Sequence, residues 1–250
     1  MPVSGCKNAG MTSTQSFRPD PAHGRVYTAR RLVRSTDVTQ DGRLRLDSLA
    51  RYLQAAAEDD LADSGLLGPA VWLVRRCEVA VRAFPPMGER ITLRTFCSGT
   101  GPRWAERTTT VAGAGGDLLQ ATAVWAAVDR ASGGPVAPGE AFMRVYGESA
   151  QGKVVSARLS HPRPAENDPG RPWPLRAADF DTAGHVNNAI HWAVVEDVLA
   201  DGGPLPARAE VEYHRPMNPG CSPRLVTDGE AGLLWLLDGR HLLASARLRR

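Results

Sequence analysis

One short segment of this 250-residue chain is apolar on nearly every face that a helix would have. Between Ala189 and Leu199, the acidic residues that interrupt the apolar run are Glu196 and Asp197. A helix without a polar face is buried in a protein core or in a membrane. A helix of about a dozen residues is too short to cross a bilayer, which takes about 20. The segment therefore predicts a short helix that other elements of the same fold enclose.

The segments that follow this helix are predicted to be strands that cover it. They span 207–213, 224–227, 232–237 and 241–249, with a Pro-rich break after the first of them. A buried helix wrapped by strands indicates the α+β class.

The same order of elements occurs earlier in the chain. A turn at 36–44 precedes a helix-like run at 47–63, whose apolar stripe has helical spacing. A strand at 76–82 and a Pro/Gly turn at 85–88 follow, as 208–214 follows the second helix. A repeated plan of this kind indicates two tandem copies of one structural unit.

The turn before the second helix carries side chains that are suited to acid–base chemistry. Asp181 and His185 flank a Gly-containing turn, and Asn187 and Asn188 open the helix. Asn at a helix start accepts bonds from free backbone N–H groups, and such groups stabilise a developing negative charge. Carbonyl chemistry needs this combination, although a turn that only caps a helix would look the same. Because Arg43 replaces the histidine in the first copy, we expect that half to form wall and pocket.

Six segments support a more specific interpretation through their order and spacing: 45–54, 71–76, 84–89, 103–107, 123–133 and 181–188. Together they resemble the acyl-acyl-carrier-protein thioesterases of plants and bacteria. The resemblance runs from about Val26 to the C terminus. It implies a double hotdog fold, in which two tandem hotdog repeats pack long helices on a broad antiparallel sheet.

The resemblance also implies an activity. The chain would hydrolyse fatty or polyketide acyl thioesters carried on acyl carrier protein and release the free acid, without a cofactor or a metal. We expect Asp181 to activate water or attack directly, and His185 to orient the acid or the water and assist departure of the thiolate. Asn187 would hold the turn. The backbone N–H groups from Val186 to Asn188 would polarise the carbonyl.

Other residues are expected to contact the substrate or form its walls. They are Val186, Asn188, Trp192, His191 and, on the first helix, Glu58. The chain departs from the family pattern where plant enzymes carry an Asn, a Glu and a Cys, since Ala183, Pro216 and Met217 stand there. The family's four-residue catalytic set is therefore not transferred.

Two other functions remain open at this point. The first is a catalytically degenerate hotdog protein that binds acyl chains or acyl carriers, which Ala183 and Pro216 favour. The second is a hotdog dehydratase, in which Glu58 would be essential.

Composition predicts four regions. Residues 1–24 are rich in Ser, Thr, Gly and Pro and form a predicted disordered tail without a secretory signal. Residues 25–155 form the N-terminal repeat, 156–174 a linker, and 175–250 the C-terminal repeat that carries the Asp–His turn. We expect a monomer or a homodimer without a membrane span.

The four cysteines show no C-x-x-C spacing, which argues against a zinc site and favours reduced thiols in the cytoplasm. Cys221 is an alternative nucleophile, but a turn or wall role is preferred for it.

Arginine supplies nearly all the positive charge, although the formal net charge is only +3. The first half is crowded with arginines, namely Arg30, Arg31, Arg34, Arg43, Arg45, Arg51, Arg75 and Arg76. Such a surface would steer an acidic partner such as a carrier protein. Nucleic acid is disfavoured, because acidic residues intervene and no basic motif with interleaved aromatic residues occurs.

Overall fold

The computed structural model describes residues 16–66, 70–165 and 168–250. Within these ranges one continuous sheet of ten strands dominates the molecule, in the order β1-β3-β4-β5-β2-β7-β10-β9-β8-β6. All pairings between neighbouring strands are antiparallel. The strands are β1 (Tyr27–Leu32), β2 (Ala70–Val81), β3 (Arg90–Gly101), β4 (Trp104–Gly113), β5 (Gly116–Asp129), β6 (Arg171–Pro172), β7 (Arg208–Tyr213), β8 (Arg224–Asp228), β9 (Leu233–Asp238) and β10 (His241–Arg249).

Three α-helices accompany the sheet in the described residues: α1 (Leu46–Asp63), α2 (Glu140–Ala150) and α3 (Asn188–Ala200). Helices α1 and α3 pack against each other, and their buried side chains share one apolar cluster with the central strands. The expected repeats of a long helix on a broad antiparallel sheet are confirmed. In the described ranges no helix is long and apolar enough to cross a membrane.

The apolar character of α3 has the predicted cause. Trp192, Val194 and Val195 are each at most 1% exposed, because α1 covers one side of the helix and the sheet covers another. Burial of a large apolar side chain contributes about 1.5–3 kcal/mol. Packing therefore stabilises this helix more than its intrinsic propensity does, since it is rich in β-branched residues.

The two repeats join where β2 pairs with β7. Glu78 lies opposite Glu210 in this register, and each carboxylate has an arginine from the other strand. Arg208 Nη1 donates to Glu78 Oε1 at 2.7 Å, and Arg76 Nε lies 3.7 Å from Glu210 Oε2. These crossed pairs offset the repulsion of two carboxylates facing each other.

Part of the predicted tail is ordered. Residues 1–15 lie outside the described residues, but residues 16–24 contact the first repeat. The Arg18 backbone N–H donates to Gln120 Oε1 at 2.8 Å, and Arg94 pairs with Asp20 at 2.6 Å. Side-chain anchors of this kind fix a segment whose composition alone predicts disorder.

The predicted linker is likewise held on the sheet. The backbone N–H groups of Ser160 and His161 donate to the Glu212 carboxylate at 2.6 and 3.1 Å, and Glu212 is fully buried. This anchor could not be predicted from local sequence, because the carboxylate lies about 50 positions from its donors. Strand β1 and helix α2 were also not predicted.

Candidate active site

The turn that carries Asp181 and His185 is closed by its own backbone. Asp181 N donates to His185 O at 2.9 Å, and Gly184 N donates to Asp181 O at 3.0 Å. Gly184 has a φ of +77°, a conformation that side chains other than Gly rarely adopt. The side chains of Asp181 and His185 are both half-buried. The turn therefore has a fixed shape and keeps them open to solvent in part.

One oxygen of the Asp181 carboxylate stabilises the turn. Oδ1 accepts from Ala183 N at 2.9 Å and from His185 N at 3.4 Å. The other oxygen, Oδ2, has no hydrogen-bond donor among the residues that the structure describes. Asp181 can therefore keep its position through Oδ1 while Oδ2 accepts a proton or attacks a carbon.

Asn187 is the N-cap of α3, as predicted. Its Oδ1 accepts from Ala189 N at 2.9 Å, and its Nδ2 lies 3.4 Å from Gln54 Oε1 on α1. Val186 N donates to Met217 O at 2.9 Å. The N–H of Asn188 is left without an acceptor among the described residues, as expected for the first residue of a helix.

A cavity of about 40 Å³ lies between α1 and α3, above the central strands. The helices and β7 contribute Ala50, Leu53, Gln54, Asn188, Trp192 and Tyr213, and the other strands contribute Val74, Cys77, Arg107, Thr109, Ala121, Ala123 and Trp125. Of the residues predicted to contact substrate, Asn188 and Trp192 line it. Asp181, His185 and Val186 are outside the lining set, so Asn188 connects the cavity with the Asp–His turn.

Tyr213 and Gln54 belong to this site, although the sequence did not identify them as site residues. Trp192 Nε1 donates to Tyr213 Oη at 3.1 Å, and Tyr213 Oη donates to Asn188 O at 3.3 Å. Burial raises the pKa of Tyr213 well above its usual value, so the hydroxyl stays neutral and remains a donor. It therefore holds the first turn of α3 above the cavity.

The remaining two candidates lie elsewhere. Glu58 is exposed and accepts from Gln54 Nε2 at 3.0 Å, so it faces solvent rather than the cavity. His191 is 5% exposed, and its ring packs edge-on to Tyr213 with centroids 4.8 Å apart. Burial lowers the pKa of His191 to about 4. A neutral wall residue fits this environment better than a proton carrier.

The first repeat contains an equivalent turn, and Arg43 stands where His185 stands, as the sequence predicted. Thr39 stands where Asp181 stands, so the first turn has neither an acid nor an imidazole at the two equivalent positions. Two backbone hydrogen bonds occur in both turns, each at 2.9 Å. Thr39 N donates to Arg43 O as Asp181 N donates to His185 O. Leu44 N donates to Pro85 O as Val186 N donates to Met217 O. Leu46 and Asn188 are accordingly the first residues of α1 and α3.

In the first repeat a carboxylate occupies the free backbone N–H at the start of α1. Glu196 Oε1 accepts from the Leu46 backbone N–H at 2.6 Å and from Arg43 Nη1 at 3.0 Å. Glu196 Oε2 accepts from Arg43 Nη2 at 2.8 Å, which makes the ion pair bidentate. The free donor at the start of α3 therefore has a counterpart at the start of α1 that already binds an anionic oxygen.

Three described side chains on the other face of the sheet come close enough to hold a metal ion, namely His161, Glu210 and Glu212. Hydrogen bonds already engage them. His161 Nε2 lies 2.9 Å from Glu210 Oε1, and His161 Nδ1 lies 3.0 Å from Ser245 Oγ. With Glu212 accepting from the linker backbone, this network attaches the linker to the sheet.

Five of the eight arginines singled out in the first half form ion pairs. Ion pairs engage Arg31 with Asp59, Arg43 with Glu196, Arg45 and Arg51 with Asp47, and Arg76 with Glu210. The guanidinium groups of Arg30, Arg34 and Arg75 have no carboxylate partner in the described part of the chain.

Comparison with known proteins gives a consistent result over both repeats. The acyl-ACP thioesterase N-terminal domain matches residues 24–137, and the acyl-ACP thioesterase C-terminal domain matches residues 163–228. An uncharacterized protein of Mycobacterium tuberculosis is 28% identical over 236 residues, which cover 92% of this chain and 94% of that protein. A chloroplastic palmitoyl-acyl carrier protein thioesterase of Gossypium hirsutum is 26% identical over 121 residues, 43% of this chain and 29% of that protein.

Solved structures agree on the fold. The 12:0-ACP thioesterase from Umbellularia californica superposes with a TM-score of 0.75 at 19% identity, covering 91% of this chain and 97% of that one. An acyl-ACP thioesterase from Bacteroides thetaiotaomicron gives 0.75 at 17% identity, with 90% and 97% covered. Both likenesses extend over the two repeats together.

Proposed function

Because the chain belongs to the acyl-ACP thioesterase family, whose domains match residues 24–137 and 163–228, it is a thioester hydrolase of acyl-ACP, and we propose that hydrolysis takes place at the start of α3. The substrate carbonyl would accept a hydrogen bond from the Asn188 N–H. The first carbons of the acyl chain would enter the cavity between α1 and α3.

A single observation carries the placement of the carbonyl. The equivalent donor in the first repeat, Leu46 N–H, binds a carboxylate oxygen of Glu196 at 2.6 Å. A helix start that binds one anionic oxygen supports the same role for its counterpart, which is free. An oxyanion of a tetrahedral intermediate would use Asn188 N–H in this way, a contribution of about 10²–10³ in rate.

Asp181 would supply the base or the nucleophile. As a base, Oδ2 takes a proton from water while the water oxygen bonds to the carbonyl carbon. The tetrahedral intermediate then collapses, the carbon–sulfur bond breaks, and the thiolate leaves with a proton that His185 donates. The products are the free acid and the carrier thiol.

The carrier protein would approach from solvent near the Asp–His turn. Of the eight arginines singled out in the first half, Arg30, Arg34 and Arg75 would contribute charge to docking, since the other five are ion-paired. We place the enzyme in the cytoplasm, where its free thiols Cys77, Cys97 and Cys221 stay reduced. A monomer or a homodimer would serve this function.

The test is single-turnover hydrolysis of acyl-ACP with detection of the free thiol. Asp181→Asn keeps the shape of the side chain and removes its charge, so the rate should fall about 10²–10⁴-fold. His185→Ala should cost somewhat less if the ring only orients and donates. Asp41→Asn, an exposed change in the inactive first turn, is the matched control and should keep the wild-type rate.

Three results would redirect the assignment. Near wild-type turnover by folded Asp181→Asn would exclude this acid. Tight binding of acyl-ACP without release of thiol would favour the degenerate acyl-binding protein. A dehydratase would instead eliminate water from a 3-hydroxyacyl carrier and lose activity with Glu58→Gln.

A further inference from the structure

We propose that Gln54 is a positioning residue that keeps the Asn188 N–H open for the thioester carbonyl, and that a carboxylate at this place would close the site. The inference rests on the proposed function of the α3 start. It identifies a neutral amide on the opposite repeat as a condition for activity.

The relation between the repeats singles out this residue. Gln54 is the ninth residue of α1, and Glu196 is the ninth residue of α3. Each side chain extends toward the start of the other helix. Glu196 reaches the Leu46 N–H, while Gln54 lies beside Asn187 and lines the same cavity as Asn188.

The two side chains differ in what they bind. Glu196 is a buried anion, and both of its oxygens are engaged by Arg43 or the Leu46 N–H. Gln54 is neutral. Its Oε1 accepts from Asn187 Nδ2 at 3.4 Å, and its Nε2 donates to Glu58 at 3.0 Å. The Gln54 oxygen thus accepts from the Asn187 side chain and not from the Asn188 N–H, which has no acceptor among the described residues.

A carboxylate in place of this amide should recreate the closed arrangement. A charged acceptor forms a shorter and stronger hydrogen bond than a neutral carbonyl does. His185 stands where Arg43 stands, so its ring would be the equivalent partner of the variant carboxylate. The variant carboxylate would then compete with the thioester carbonyl for the Asn188 N–H.

The test compares Gln54→Glu with Gln54→Met, which has a similar length and no charge. Gln54→Glu should lower kcat/KM for acyl-ACP at least about 10²-fold, the loss expected when an oxyanion donor is removed. Gln54→Met should stay within about tenfold of wild type, since mutations that disturb only positioning leave the donor in place. Gln151→Glu, an exposed change at the end of α2, controls for added charge.

A second readout is independent of turnover. The backbone amide proton of Asn188 should shift downfield in the NMR spectrum of Gln54→Glu and stay near its wild-type position in Gln54→Met. Conversely, Glu196→Gln should move the Leu46 amide upfield as its bond to an anion weakens. Circular dichroism checks that each variant is folded. If Gln54→Glu does not fold, the Leu46 amide shift in Glu196→Gln tests the proposal in its place.

The two proposals fail in different ways. Absence of hydrolysis by the wild type would overturn the proposed function, while the Asn188 shift would still test Gln54. Equal activity of Gln54→Glu and Gln54→Met, or an unmoved Asn188 amide in folded Gln54→Glu, would overturn the inference about Gln54. An unmoved Leu46 amide in Glu196→Gln would also overturn it.

Discussion

The environment of His191 makes a quantitative prediction about stability at low pH. Burial lowers the pKa of this ring from 6.5 to about 4, because the charged form is poorly solvated between α3 and the sheet. Between these two values the unfolded chain binds a proton that the folded chain does not. The free energy of unfolding therefore falls as the pH falls through 6.5, and His191 has no effect on it well above that value.

The magnitude follows from the two pKa values. At pH 7.5 the ring is neutral in both states and contributes almost nothing. At pH 5 the unfolded ring is almost entirely protonated and the folded ring almost entirely neutral. The resulting loss is about 2 kcal/mol, a large part of the 5–15 kcal/mol typical of a folded domain.

The measurement is urea unfolding of the wild type and of His191→Gln at pH 7.5 and pH 5.0. The variant cannot protonate at this position, so the wild type should lose about 2 kcal/mol more than the variant does over this interval. Groups that titrate in both proteins cancel in the difference. Parallel losses would show that the folded protein accepts a protonated ring beside Tyr213, and the description of His191 as a neutral wall residue would then be refuted.

Three further predictions concern the cap, the thiols and the carrier. Asn187→Ala should lower the free energy of unfolding by about 1 kcal/mol, the value of an N-cap bond, whereas Asn218→Ala at an exposed loop should not. Alkylation at pH 8 should label Cys221 and leave hydrolysis intact. The buried Cys77 should not react, because burial raises its pKa to about 12. If alkylation abolished hydrolysis by the wild type but not by Cys221→Ala, this prediction would be wrong. The KM for acyl-ACP should rise with salt while that for acyl-coenzyme A changes less, since exposed charges are screened over about 8–10 Å. A salt-independent KM would exclude electrostatic docking.

Local features of the sequence were sufficient for the Asp–His turn and the buried helix. Asp181, His185 and Asn187 lie within seven positions, so their spacing alone places them on one turn. The nearly all-apolar surface of α3 likewise predicts its burial. The double plan of the fold followed from comparing two such stretches with each other.

Contacts between the repeats could not be predicted in the same way. Glu196 reaches Arg43 across 153 positions, and Asn187 reaches Gln54 across 133. In the sequence, Glu196 only interrupts an apolar run. Its partner Arg43 can be identified only when the packing of α1 against α3 is known. The ordered segment at 16–24 was missed for the same reason, because its anchors lie far along the chain.

The seam between β2 and β7 has a consequence for synthesis. Strand β2 acquires β7 as its second neighbour only after about 130 more residues have been made, which takes about 6–26 s on the ribosome. Until then the nascent first repeat presents an open edge of backbone donors and acceptors at the future centre of the molecule. We expect a truncated chain ending before Arg208 to pair β2 with β2 of another copy or to aggregate. Synthesis of the second repeat thus provides β7, which pairs with the open edge of β2.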